Sequence, residues 1–164
     1  MRDRVMIVED EILVALDLEA TLEDFGYEPV GIAADLKTAL ALVKTEPTVA
    51  LVDLNLRDGP TGSEIGARLA RDHGIKVLFL TANPLMLGKG VAGTVGVLTK
   101  PCWPDAVRAA IEYALCGDHV EPPSGLIVFP PDDQPGRSDD RSFAKPRLPQ
   151  PGPLIPPIDL TRDP

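Results

Sequence analysis

Short apolar runs alternate with segments of helical period, and this alternation constrains the fold of the 164-residue chain more than any other feature. Val5 to Val8, Pro29 to Ala33, Val49 to Asp53, Val77 to Thr81 and Gly96 to Thr99 read as five buried strands, because short, near-continuous apolar runs suit a sheet covered on both faces. Between them, Ala15, Leu18, Leu22 and Phe25 recur at helical spacing, as do Leu36, Ala39 or Leu40 and Val43. Ile65 and Leu69 mark a weaker third helix from Ser63. Val107, Ala110 or Ile111 and Ala114 mark a last one, opened by Pro104 and closed by Gly117. Gly26 ends the first helix. Strand and helix repeats of this kind build βαβ units and hence a parallel sheet. The stretch from Asn83 to Gly93 fits either one short helix or a loop.

Composition changes near Gly117, since 12 of the 18 prolines follow Glu121. A domain over residues 1–117 and a Pro-rich, extended tail over 118–164 are therefore expected. The tail carries apolar islands at Leu126 to Phe129 and Leu154 to Ile158, and a solvated tail is favoured over a docking peptide. The formal net charge of -9 argues against a nucleic-acid partner, whose affinity would rest on Lys and Arg meeting phosphates. The N-terminus runs from Met1 into a short apolar segment that acidic residues stop, which fits neither a signal peptide nor a membrane span. Cys102 and Cys116 lack disulfide-framework or metal-ligand spacing and read as reduced thiols of a cytoplasmic protein. His73 and His119 fall by predicted helix ends and read as surface residues.

The polar residues fall where the strands stop. Val8 runs into Glu9 and Asp10, Val52 into Asp53, Leu80 into Thr81, and Thr99 into Lys100. All of these are carboxyl ends, which share one edge in an open parallel sheet and form a ligand-binding crevice where strand order reverses. Glu9, Asp10 and Asp53 at one edge repel unless a cation joins them, and oxygen ligands with open positions suit Mg²⁺. Lys100 supplies a positive charge opposite and Thr81 a hydroxyl donor. No GxxxxGK[ST] segment cradles a nucleotide phosphate. A phosphoryl group would therefore arrive on a donor and be received by a carboxylate as an acyl phosphate.

Glu9-Asp10-Glu11, Leu51-Val52-Asp53-Leu54-Asn55-Leu56, Thr81-Ala82 and Lys100-Pro101, in that order, resemble response-regulator receiver domains over the first 117 residues. The resemblance implies a flavodoxin-like, doubly wound, five-stranded parallel sheet of strand order 2-1-3-4-5 followed by the Pro-rich tail. It implies that Asp53 is the phosphoacceptor, Asp10 a direct Mg²⁺ ligand, Glu9 an outer one, and Asn55 a ligand through its backbone carbonyl. Lys100 would pair with one phosphoryl oxygen, Thr81 with another, and Pro101 would follow a cis peptide. The donor would be a histidine kinase or a histidine phosphotransfer protein, with an unknown downstream protein. Leu13 and Leu16, surplus apolar residues of the first helix, fall where such receivers meet kinase helices.

The departures concern output. Receivers carry Tyr or Phe three positions before the lysine, and here that switch position is Val97. The Thr81 to Lys100 segment is short, and Arg57 replaces a proline common after strand three. With Phe79-Leu80-Thr81-Ala82-Asn83-Pro84, these features resemble an alphaproteobacterial subgroup that includes receivers of the general stress response. Output would then run through rearrangement of Asn83 to Gly93. The favoured function is a stand-alone regulator, not an enzyme, acting by protein contact or as a phosphate sink. Two rivals are a receiver-fold interaction module independent of phosphorylation and, last, an aspartyl-nucleophile phosphatase, for which Asn55 is a poor general acid.

Overall fold

The computed structural model describes residues 1–131. In order, the elements are β1 (Arg4–Val8), α1 (Ile12–Asp24), β2 (Glu28–Ala33), α2 (Leu36–Leu42), β3 (Val49–Asp53), α3 (Gly62–His73), β4 (Lys76–Thr81), β5 (Gly96–Thr99), α4 (Pro104–Cys116) and β6 (Leu126–Val128). They form one sheet in the order β2-β1-β3-β4-β5-β6. The first five strands are parallel and keep the expected order, while β6 runs antiparallel to β5.

The strand residues divide by parity between two cores. Val5, Ile7, Val49, Leu51, Leu78 and Leu80 pack with Ala15, Leu18 and Leu22 of α1 and with Val107, Ala110 and Ile111 of α4. Met6, Val8, Ala50, Val52, Val77 and Phe79 pack with Ala39 of α2 and with Ile65 and Leu69 of α3. Burial on both faces explains why β1 is apolar from Val5 to Val8 and β3 from Val49 to Val52, each large side chain contributing about 1.5–3 kcal/mol. Local signals set the helix ends. Asp35 and Thr38 form a reciprocal capping box at the start of α2. Gly74, with φ 67°, turns the chain out of α3 in the left-handed region that glycine adopts without a Cβ penalty.

Three expectations are corrected. The sheet has a sixth strand, and the compact unit is Met1–Asp132, so the domain does not stop at Gly117. The Leu126 to Phe129 island is part of the fold, with Leu126 and Phe129 both 8% exposed. Its proline flanks disguised it: Pro122, Pro123, Pro130 and Pro131 lie outside the strand, where a missing N–H breaks no ladder bond. Asn83 to Gly93, expected as a short helix or a loop, holds a 3₁₀ turn, Pro84–Leu87, and otherwise loop. The third helix starts at Gly62, one residue before Ser63. The remainder of the expected tail, with the Leu154 to Ile158 island, lies outside the described residues. Among the described residues no helix is long and apolar enough to cross a membrane.

Candidate functional site

The parallel strands deliver their polar ends to one edge. Beyond β1, the Glu9 N–H donates to the Ala33 carbonyl at 2.8 Å, so Glu9 extends the β1–β2 pairing and its side chain is drawn inward, only 3% exposed. Its Oε1 accepts the Glu11 N–H at 3.0 Å. Asp53 ends β3 half-buried, and its Oδ1 accepts the Asn55 N–H at 3.2 Å. Thr81 ends β4 fully buried, with its hydroxyl oxygen accepting the Asn83 N–H at 3.1 Å. The Thr81 carbonyl accepts the Lys100 N–H at 2.8 Å, which fixes the lysine just past β5. The Lys100–Pro101 peptide is cis.

Lys100 bridges the acids. Its Nζ lies 2.9 Å from Glu9 Oε2 and 2.8 Å from Asp53 Oδ2. Glu9, Asp10 and Asp53 can each offer a carboxylate oxygen, all within 4.8 Å of one another. Burial pushes the Glu9 carboxyl above its usual range and Asp53 adds to this, against the bonds from Lys100 and the Glu11 N–H. Burial alone would lower the Lys100 ammonium, but its bonds to Asp53 and Glu9 prevail and hold it above an ordinary lysine. Three acids face one ammonium, leaving hard oxygen donors in excess of positive charge. That set fits a divalent cation held by carboxylates.

The structure thus brings together Glu9, Asp10, Asp53 and Lys100, with Asn55 touching Asp53 through its N–H and Thr81 ending the neighbouring strand. Val97 is not at this edge. It is buried within β5, opposite Phe79 on β4 and Ile127 on β6. One residue behind the site and one in the core beside β5 escaped the sequence reasoning. Gly62 begins α3 so close to β3 that a Cβ there would overlap the Asp53 carbonyl oxygen and lie 2.6 Å from Leu54 Cα. The only signal was a glycine at a helix start. Phe129 packs on Phe79, ring centroids 6.2 Å apart, and was legible only as the end of an apolar island.

A cleft of about 490 Å³ beside the lysine is lined by Glu11, Val14, Asp17, Leu80, Pro101 and Cys102, among others. Ile12, Leu13 and Leu16 of α1 are exposed nearby in sequence, at 59%, 79% and 46%.

The family model for the response regulator receiver domain matches residues 5–112. The phyllosphere-induced regulator PhyR of Methylorubrum extorquens is 33% identical over 118 residues, covering 70% of this chain and 44% of that protein. The transcriptional regulatory protein PdtaR of Mycobacterium tuberculosis is 32% identical over 68% of this chain and 56% of its own length. This chain therefore spans about half the length of these curated relatives. The crystal structure of PhyR from Brucella abortus is 39% identical, with a TM-score of 0.61 over 71% of this chain and 49% of that one. The receiver domain of PhyR from Erythrobacter litoralis is 30% identical, with a TM-score of 0.64 over 73% of this chain and 95% of that one. With the acids, the bridging lysine and the strand order already in place, these similarities assign the chain to the response regulator receiver domain family.

Proposed function

We propose that this chain is a phosphorylation-dependent regulator that takes a phosphoryl group onto Asp53. The observation that carries the proposal is the Lys100 ammonium held between Glu9 and Asp53 beside Asp10. A carboxylate oxygen of Asp53 attacks the phosphorus of a phosphohistidine, the P–N bond breaks, and the donor imidazole leaves with its electron pair, producing an acyl phosphate on Asp53. Asp10 and Asp53 with the Asn55 carbonyl would hold Mg²⁺, with Glu9 behind them, and the ion would supply positive charge to the transferring oxygens. Lys100 moves from its bond with the Asp53 carboxylate to a phosphoryl oxygen, keeping its partner Glu9. The Thr81 hydroxyl donates to a second phosphoryl oxygen. The Lys100 ammonium and the Asn55 N–H orient the Asp53 carboxylate for attack.

The donor is a histidine kinase or histidine phosphotransfer protein, docked on α1, which exposes Ile12, Leu13 and Leu16 and whose Val14 and Asp17 line the cleft with Pro101. Action in the cytoplasm follows from that donor. The output is a protein contact and not nucleic-acid binding, in keeping with the net charge of -9. The solved relative PhyR from Bartonella quintana is an anti-anti-sigma factor, which is the same class of output. Acetyl phosphate with Mg²⁺ should add one phosphoryl mass to the protein, and Asp53→Asn should abolish the adduct. A wild-type protein that stays unmodified would leave a receiver-fold interaction module in its place.

A further inference from the structure

Val97 leaves the switch position without an aromatic ring, yet an aromatic ring fills that side of the sheet from elsewhere. Phe129 is buried with Val97, Phe79 and Leu87 in the core under α2 and α3. It arrives on β6, whose register sets Leu126 against Leu98, Ile127 against Val97 and Val128 against Gly96. The Phe129 N–H then donates to the Val95 carbonyl at 3.0 Å. Strand parity therefore puts Leu126 into one core and Phe129 into the other, so four residues grip both faces of the β5 edge.

The receiving surface is shaped for this segment at two glycines. A Cβ on Gly96 would overlap the Ile127 carbonyl oxygen, and a Cβ on Gly90 would lie 2.5 Å from the Phe129 ring. The grip is also short. β6 has three residues, and prolines on both sides prevent the pairing from growing. The connection from α4 has Gly117 and Gly125 at its ends, at φ 65° and 90°, both in open space.

A continuous path leads from this segment to Thr81. The Thr81 hydroxyl oxygen holds the Asn83 N–H, and Asn83 opens the Pro84–Leu87 turn. Leu87 is buried against the same core as Phe129, and its carbonyl accepts the Gly90 N–H at 2.8 Å, directly beneath the Phe129 ring. We infer that the edge of β5 with the slot over Gly90 is a strand-docking site, that Leu126–Phe129 is its resident occupant, and that phosphorylation of Asp53 loosens that occupant through Thr81 and Asn83. The inference rests on the phosphoacceptor reading of Asp53. A Thr81 hydroxyl drawn to the phosphoryl group alters its bond with Asn83, the Pro84–Leu87 turn shifts, and the floor under Phe129 moves. The vacated edge then offers unpaired β5 backbone and an aromatic slot to an extended partner segment of apolar-x-x-aromatic pattern.

The test is amide hydrogen exchange on the full chain, before and after acetyl phosphate with Mg²⁺, with the phosphoryl adduct counted by intact mass in the same sample. Phosphorylated protein should exchange the Leu126 to Phe129 amides severalfold faster than unmodified protein. Unchanged or slower exchange with the adduct present overturns the inference. A missing adduct instead overturns the phosphoacceptor reading, and the path is then judged by a second arm that needs no phosphoryl group. In unmodified protein, Phe129→Ala and Gly90→Val should each speed exchange at Asn83 and Leu87, because coupling between two sites is reciprocal. Folded variants whose Asn83 and Leu87 amides exchange as in wild type overturn the inference in either case.

Discussion

At the carboxyl ends of β1 and β3, Glu9, Asp10 and Asp53 are gathered although they repel, whereas along β5 and β6 Leu126 enters one core and Phe129 joins Val97 in the other because burial favours each of them. The first assembly is held in place by backbone. Strand pairing and the Ala33 and Glu11 contacts fix Glu9 where its ionised form is costly, and one ammonium offsets the charge. The second adds side-chain packing on both faces to its strand pairing, with two glycines leaving the room. The difference is that the acid edge stores unfavourable electrostatics that a cation or a phosphoryl group relieves, so it responds to ligands. The β5–β6 edge is favourable by itself, so it responds only when its floor moves.

Truncation after Gly117 breaks the apolar edge most severely. It removes two buried side chains, Leu126 and Phe129, and should cost about 3 kcal/mol, lowering Tm by roughly 10 °C in thermal denaturation. A chain ending at Asp132 keeps both side chains and should not show this loss. Gly62→Ala breaks the acid edge from behind by pressing a methyl group on the Asp53 carbonyl and Leu54. It should cost about 2 kcal/mol of stability and slow phosphorylation measured by intact mass.

Glu9→Gln sharpens the electrostatic side of the comparison. The folded pKa of Glu9 is raised, so the stability it contributes is full below its unfolded pKa and is lost as pH rises through the folded value. The variant should therefore melt no lower than wild type in metal-free buffer at neutral pH. It should also bind Mg²⁺ roughly tenfold more weakly, read from the fluorescence of Trp103, the single tryptophan, three residues past Lys100.

Asp35→Ala gives the smallest effect and calibrates an ordinary exposed carboxylate. The Thr38 N–H first, and then its hydroxyl, hold the Asp35 carboxyl below its usual range. A lowered folded pKa means its contribution is present above the unfolded pKa and lost as pH falls through the folded one. The small Tm gap between wild type and variant should persist at neutral pH and close in acid.

The sequence by itself determined the five parallel strands, the helix faces, and which residues meet at the polar edge. Each is a local pattern: a buried strand must be apolar along its length, a helix must repeat its apolar residues, and parallel strands must bring their carboxyl ends to one side. Asp53, Lys100, Glu9 and Asp10 were legible because they interrupt apolar runs at those ends. Only the tertiary structure decided that Lys100 binds Glu9 and Asp53 at once, that Gly62 makes room for the Asp53 backbone, and that Leu126 to Phe129 belongs to the sheet. Proline-rich composition pointed the other way for that last segment. Its place depends on complementarity with Gly90 and Gly96, residues distant along the chain, and fit between surfaces leaves no periodic trace in either sequence segment.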